Sequence, residues 1–242
     1  MKNIVLSFTL MAISFNLSAQ TAEEIVANYI EKIGGKENLE KLQSIKMEGD
    51  ANTNGMEFPL TILLKGKDHY KSFVSFQGME IVQPASYDGE EVWNTNPMTM
   101  QNEIMEGDAA EAVKKEAQDF PDALLTYNEN GYELELGDEA EVEGEACYKV
   151  TLVKPDQTIQ GMEVSGRTDF YIGKDSGLVL KKAQNSGMGP LETILSDYQE
   201  VNGILFPFLM ETKMGGNVVS SVNIKSIETN IPIDDTLFSF PE

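Results

Sequence analysis

Histidine and cysteine, two side chains that often carry nucleophilic or metal chemistry, each occur once in this chain of 242 residues. A zinc site needs several Cys, His or carboxylate ligands, and a Ser-His-Asp triad would have to use His69 as its base. Residues 186–190 (SGMGP) come nearest to a Gly-x-Ser-x-Gly elbow but do not match it. His69 is predicted to lie at a rim and Cys147 to be a buried, inert thiol. The sequence therefore predicts no catalytic constellation, no metal site and no cofactor.

Carboxylates are the abundant reactive group, with 40 Asp and Glu residues against 18 Lys and Arg. Glycoside hydrolysis needs a defined carboxylate pair, and the sequence singles out none. The acidic run at residues 138–145 lacks the spacing of a calcium-binding loop, so it is predicted to be a solvated strand edge. Because the formal net charge is −22, nucleic-acid binding and stable membrane insertion are not expected.

Methionine supplies the most suggestive pattern. Gly-Met-Glu occurs at residues 55–57, 78–80 and 161–163, each time opening a strand-like run. Because methionine is flexible and polarizable, one interpretation is a Met-lined mouth for an acyl-type ligand. The alternative is a set of independent hairpin turns and core-filling side chains. On the first interpretation, the candidate cavity or mouth residues are Met56, Phe58, Leu60, Met79, Ile81, Trp93, Met98, Met100, Met105, Met188 and Met210.

The elements that would position these residues begin with an amphipathic helix over residues 21–33. Its apolar residues form a single stripe, Thr21 and Glu24 form a capping box, and Gly34-Gly35 gives a stop signal. A short helical turn is predicted at residues 37–42. From Ser44 onward the pattern changes to strands and turns, and Asn202-Gly203 predicts a type I′ hairpin between two apolar runs.

A helical insertion is predicted over about residues 94–127. Asp108 and Glu111 form a second capping-box pattern, followed by a helix over residues 109–118 whose apolar side is mostly alanine. A short turn of helix is predicted at residues 122–126. Such a weakly packed helix is interpreted either as a lid or as a surface crossover.

Two strand-like runs, residues 58–64 and 218–224, carry apolar residues at odd and at even positions, and therefore on both faces of the strand. A sheet with one solvated face would alternate, so the pattern favours a curved sheet whose second face lines a cavity.

An export signal is predicted at residues 1–19. Lys2 is followed by an apolar run over residues 4–15, and the small residue Ala19 is a suitable cleavage site. The run is shorter than the roughly 20 residues of a membrane-spanning helix. We therefore predict a periplasmic protein cleaved after Ala19, with residues 20–242 forming a single domain. A lone cysteine allows no intramolecular disulfide, and we expect a monomer.

Several segments together resemble exported outer-membrane lipoprotein-sorting proteins of the LolA/LolB-like superfamily. They are the first helix with its Gly-Gly end, the turn and strand at residues 87–93 (YDGEEVW), the hairpin at residues 197–207 and the FSFP end at residues 238–241. The resemblance implies a mainly β (α+β) fold, a half-closed antiparallel barrel of about eleven strands. It also implies a hydrophobic interior that shields lipid or lipoprotein acyl chains. No functional residue is carried over from the family.

The expected function is therefore that of a non-enzymatic periplasmic carrier or binding protein for an apolar, acylated ligand. Outer-membrane lipoprotein sorting is the process that the resemblance implies. The alternative is a non-catalytic interaction module of the cell envelope, with envelope proteins as partners and its interior filled by its own side chains. A carboxylate-pair hydrolase is the least favoured hypothesis.

Overall fold

The computed structural model describes residues 20–53, 55–159, 162–185 and 189–241, so the predicted signal segment lies outside the described residues. The first element is helix α1 (Ala22–Ile33). It begins with the predicted capping box, because the hydroxyl of Thr21 accepts from the backbone N–H of Glu24 and the Glu24 carboxylate accepts from that of Thr21. Gly34, at φ +140°, ends the helix. A short helix α2 (Lys36–Glu40) follows. The buried stripe of α1 is the predicted one: Ala22, Ile25, Val26, Tyr29, Ile30 and Ile33.

Most of the chain forms one antiparallel sheet. The strands are β1 (Ser44–Thr53), β2 (Met56–Lys65), β3 (His69–Phe76), β4 (Met79–Tyr87), β5 (Val92–Thr95), β6 (Asn102–Met105), β7 (Glu133–Leu136), β8 (Ala140–Val142), β9 (Glu145–Val153), β10 (Gln157–Ile159), β11 (Met162–Val164), β12 (Arg167–Gly173), β13 (Val179–Asn185), β14 (Pro190–Val201), β15 (Ile204–Met214) and β16 (Asn217–Thr229). Their order is β6-β5-β4-β3-β2-β1-β16-β15-β14-β13-β12-β9-β7, with β8 also pairing with β9. The hairpin β10–β11 is separate.

The mainly β prediction is confirmed, but two details of it are wrong. The main sheet has 14 strands rather than about eleven, and two of them, β6 and β8, are only four and three residues long and give no readable periodicity. The sheet is also not closed, since among the described residues β6 and β7 are its two hydrogen-bonding edges.

The predicted Asn-Gly hairpin is confirmed. Asn202 and Gly203 have φ +52° and +83°, and Val201 pairs with Ile204 across the two-residue loop. The end of α1 packs against this turn, because a Cβ placed on Gly34 would lie 2.5 Å from the carbonyl oxygen of Gly203.

The sheet curves around α1. Ile45 of β1 and Leu152 of β9 belong to the same core cluster as the buried stripe of α1. These strands are six positions apart in the sheet order, about 29 Å if it were flat, whereas a helix is only about 10 Å across. We call the face that carries α1 the inner face and the opposite one the outer face.

Two further helices cross from one sheet edge toward the other. Helices α3 (Gly107–Ala117) and α4 (Ala123–Thr126) lie in the chain between edge strands β6 and β7. The predicted helix is therefore present, but its capping box is wrong, because α3 begins after Glu106 with no side-chain cap. Asp122 does cap α4, accepting from the N–H of Leu124 at 2.7 Å. The first part of the predicted helical insertion is instead the hairpin β5–β6.

The C-terminal segment lies on the outer face. Phe238 is fully buried, and its carbonyl oxygen accepts hydrogen bonds from Ser86 Oγ and Trp93 Nε1, both at 2.7 Å. The ring of Phe240 meets that of Trp93 edge-on at 5.8 Å. In the described ranges, no helix is long and apolar enough to cross a membrane.

Candidate ligand-binding site

A cavity of about 340 Å³ lies beneath α3 on the inner face, and we call it the inner cavity. It reaches from β2 and β3 to Lys182 on β13, so it crosses the inside of the curved sheet. Its lining consists of Leu64, Gly66, His69, Tyr70, Pro84, Val113, Glu116, Ala117, Asp119, Phe120, Pro121, Asp122, Ala123 and Lys182. The size falls at the lower end of the range for small-molecule sites.

Helix α3, which covers this cavity, packs weakly against the sheet. The buried side chains of α3 are Ala110 and Ala117, and they pack in a small cluster separate from the main core. Burying a methyl-sized group gives only about 0.8 kcal/mol, whereas a full Val, Leu or Ile side chain gives about 1.5–3 kcal/mol. Helix α1 buries Ile25, Val26 and Ile30 among others, so α3 separates from the sheet at far lower cost than α1.

A polar group faces the cavity at the end of α3. Oδ2 of Asp119 pairs with Lys154, but Oδ1 is buried and has no hydrogen-bond partner among the described residues. Burial raises the pKa of Asp119, and this effect exceeds the opposing effect of Lys154. Next to it, Asp122 accepts from the hydroxyl of Tyr29 at 3.0 Å, which ties α4 to α1. The cavity thus combines apolar side chains with the carboxyl group of Asp119, one oxygen of which is buried without a hydrogen-bond partner among the described residues.

Three of the predicted residues follow β2 along the inner face. Because Ile45 faces α1 and pairs with Leu64, alternation puts Leu60, Phe58 and Met56 on the same face. Their exposure rises along the strand: Leu60 is buried, Phe58 is half-buried, and Met56 is 59% exposed. The inner face is therefore covered by α1 at one end, whereas at the other end, toward the β1–β2 turn, its apolar side chains are exposed.

The other predicted residues divide among different places. Met210 packs on the edge of the main core, and Met105 packs beneath α3. Met79, Ile81, Trp93 and Met100 border a different cleft at the edge of the sheet, described below. Met98 is 94% exposed on the β5–β6 turn, and Met188 lies outside the described residues. Ligand binding by these eleven residues remains a prediction, and the structure does not gather the ten described ones into one lining.

The Gly-Met-Glu repeats coincide with hairpin turns. Gly55 and Gly78 have φ +79° and +81°, and each leads directly into a strand, β2 or β4. The third copy begins outside the described residues. The turn interpretation is therefore confirmed for the first two copies, without excluding a ligand-facing role for their methionines.

The single histidine and cysteine are placed as predicted. His69 lies at the rim of the inner cavity, 2.8 Å from Asp68 and edge-on to the ring of Phe238. Cys147 is fully buried, and burial raises the pKa of its thiol. No group of three or more His, Cys, Asp or Glu in the described part of the chain is arranged to hold a metal ion.

Sequence reasoning missed most of the cavity wall. Tyr70, Asp119, Phe120 and Lys182 come from a strand, a loop and the far side of the sheet, and no local pattern links them. The alanine-rich side of α3 was the one available signal.

No protein-family model matches the sequence, and no curated protein does. Solved structures share its fold. A LolA superfamily protein from Nitrosomonas europaea is 14% identical with a TM-score of 0.55, covering 92% of this chain and 99% of its own. A Vibrio parahaemolyticus protein described as an outer membrane lipoprotein-sorting domain is 11% identical with a TM-score of 0.56, covering 90% and 95%. A DUF1329 family protein from Desulfovibrio piger is 13% identical with a TM-score of 0.55, covering 91% and 98%. The resemblance predicted from the sequence is thus confirmed for the fold.

Proposed function

We propose that this protein is an exported, non-enzymatic carrier or binding protein for an apolar, acylated ligand. The observation that carries the proposal is the inner cavity beneath a weakly packed helix, beside an inner face whose apolar residues are half-exposed. The shared fold with proteins named for lipoprotein sorting makes lipoprotein acyl chains the favoured ligand and outer-membrane sorting the favoured process.

The cavity can supply affinity without elaborate polar recognition. Each buried methylene contributes about 0.8 kcal/mol, so eight methylenes contribute roughly 6 kcal/mol. Longer acyl chains need more space, and helix α3 can move away from the sheet at a low free-energy cost because its buried side chains are alanines. We therefore assign helix α3, residues 107–117, the role of a lid over the acyl chain, whereas α4 stays tied to α1.

The cellular setting follows from the same proposal. Residues 1–19 act as an export signal cleaved after Ala19, and residues 20–242 work in the periplasm as one monomeric domain. The envelope protein that delivers or receives the ligand would contact the open end of the inner face.

The test is uptake of a palmitoylated peptide by delipidated protein, followed by native mass spectrometry and by displacement of a fluorescent fatty acid. We expect a one-to-one complex with the acylated peptide and none with the same peptide lacking the acyl chain. Val113→Asp, in the cavity wall, should abolish uptake, whereas Ala109→Asp, in the first turn of α3 and outside the lining, should not. Absence of a complex at micromolar protein would refute the proposal.

A second function, an interaction module of the envelope, is favoured by one observation. Met56, Phe76 and Met79 are exposed apolar residues at neighbouring strand ends. In that case Met56→Asp should weaken binding of an envelope protein while leaving acyl uptake absent in both variant and wild type. If the interior were filled by the protein's own side chains, palmitoylated peptide would not bind at all.

A further inference from the structure

A second cleft, of about 750 Å³, opens where strands β4 and β5 part, and we call it the split cleft. The two strands pair only at Ser86–Trp93 and Tyr87–Val92. Beyond these pairs, the hydroxyl of Thr95 accepts from the backbone N–H of Val82 at 2.9 Å. A side chain therefore takes the place of the backbone–backbone hydrogen bond between the two strands, which leaves the strands farther apart. The C-terminal segment at residues 236–241 forms the other wall.

A buried ammonium group lies in this cleft. Lys71 is 7% exposed, and its Nζ lies 4.9 Å from the ring centroid of Phe73 and 5.6 Å from that of Trp93. An ammonium group has three N–H donors, yet Glu80, at 2.8 Å, is the one hydrogen-bond acceptor that the described residues offer it. Lysine is rarely so buried without full pairing. Lys71 therefore has donor capacity left for a ligand.

The rest of the cleft is suited to an apolar tail. Met79, Met100 and Leu237 border it and are 52%, 43% and 48% exposed, and the ring of Trp93 forms part of the wall. The partner carboxylate of Glu80 is more than half exposed, so it can turn toward solvent at little cost. A buried positive charge beside exposed apolar side chains matches a ligand with one anionic end.

We propose that the split cleft binds a small amphipathic carboxylate, with its carboxylate on Lys71 Nζ and its apolar chain against Trp93, Met100 and Leu237. The bond from an ammonium to a carboxylate is charge-assisted and about twice as strong as a neutral one. Because the protein carries a net charge of −22, a simple anion is not drawn in from a distance. The apolar chain supplies affinity, and Lys71 selects the headgroup.

This site is separate from the proposed acyl carrier site. It has no lining residue in common with the inner cavity and does not depend on movement of α3. The second Gly-Met-Glu copy supplies Met79 and Glu80 to the cleft.

The experiment uses the intrinsic fluorescence of Trp93, the one tryptophan of the chain, which reports directly on the cleft wall. Octanoate, octanol and octylammonium are titrated into the full-length mature protein. We expect saturable change of the emission with octanoate, binding at least about tenfold weaker for octanol, and no binding of octylammonium. No saturable response to octanoate, or equal affinity for all three, would overturn the proposal.

Two substitutions are expected to change octanoate binding in opposite directions. Lys71→Met should abolish the preference for octanoate over octanol, and Glu80→Gln should tighten octanoate binding by removing the competing carboxylate. The matched control is Lys181→Met, which removes a comparable ion pair with Glu192 and a ring contact with Tyr171 on the far half of the sheet. Wild-type affinity in Lys71→Met, or weaker binding in Glu80→Gln, would overturn the proposal. Val113→Asp blocks the inner cavity alone, so it should leave the octanoate response of Trp93 unchanged.

Discussion

Replacing Ala117 by leucine tests whether the inner cavity is empty space that a ligand uses. Ala117 is 9% exposed and its side chain lines the cavity of about 340 Å³. Leucine adds three carbon atoms, worth up to about 2.4 kcal/mol of burial, and overpacking in a filled core would cost about 1–3 kcal/mol. The cavity volume of about 340 Å³ exceeds the volume of three carbon atoms several-fold, so the leucine side chain should fit without overpacking. We therefore expect a net gain of about 1 kcal/mol in unfolding free energy. For a domain of this size, that is a rise of about 2–4 °C in Tm.

The same substitution should weaken ligand binding. The added side chain occupies the space of about three methylenes of an acyl chain, a loss of roughly 2.4 kcal/mol or about 50-fold in Kd. Thermal unfolding measures the first effect and displacement of a fluorescent fatty acid the second. The control, Ala112→Leu, makes the same chemical change on the same helix at a half-exposed position outside the lining, and it should alter uptake little.

The combination of outcomes decides the interpretation. A variant that is more stable and binds less ligand shows that the space is both empty and used. If Ala117→Leu lowers Tm by several degrees, the region is already filled, and the reasoning from cavity volume is refuted. If it raises Tm without changing uptake, the acyl chain binds elsewhere.

Three further substitutions have defined outcomes. Gly49→Ala should lower the unfolding free energy by about 2–3 kcal/mol, measured as a lower urea midpoint, because its Cβ would lie 2.2 Å from the carbonyl oxygen of Asn223; an unchanged midpoint would contradict the strand spacing. Thr21→Ala should cost about 1 kcal/mol in the same assay through loss of the α1 cap. The raised pKa of Asp119 means that its ionised form costs stability, so the wild type loses stability as pH rises from its unfolded-state pKa through the higher folded-state value. Asp119→Asn should therefore gain stability relative to wild type between pH 4 and pH 7, and a relative loss would show that the ion pair with Lys154 dominates.

The elements that the sequence predicted well are those with local signals. Helix α1 carries its own cap, stripe and stop within residues 21–35, and the Asn202-Gly203 hairpin depends on two backbone angles that these residue types favour. Pro84, in contrast, is a residue type that usually interrupts a strand, but β4 runs through it. The pairing of β3 with β4 shifts register there, from Lys71–Ser86 to Phe73–Val82, and proline is tolerated in such a bulge.

The candidate sites were much less predictable, because each is made by distant parts of the chain. The inner cavity joins Leu64 to Lys182, and the split cleft joins Lys71 to Leu237. Hydropathy indicated that residues 58–64 have two apolar faces, but not which faces would be covered. That depends on where α1 and the C-terminal segment pack, which no short window of sequence specifies.

The presence of space inside this fold follows from its proportions. In closed barrels, eight strands leave an interior that side chains alone can fill, and larger numbers of strands leave a lumen; this sheet is open but curves around its helices. This sheet has 14 strands, while α1 with its 12 residues is only about 18 Å long and α3 with its 11 residues about 16 Å long. Helix α1 fills the space between itself and the sheet with large aliphatic side chains. The buried side chains of α3 are alanines, where larger residues would be needed to complete the core. The small residues of α3 keep a cavity that a packed core would eliminate, and on the proposed function the burial of an acyl chain would offset the stability lost.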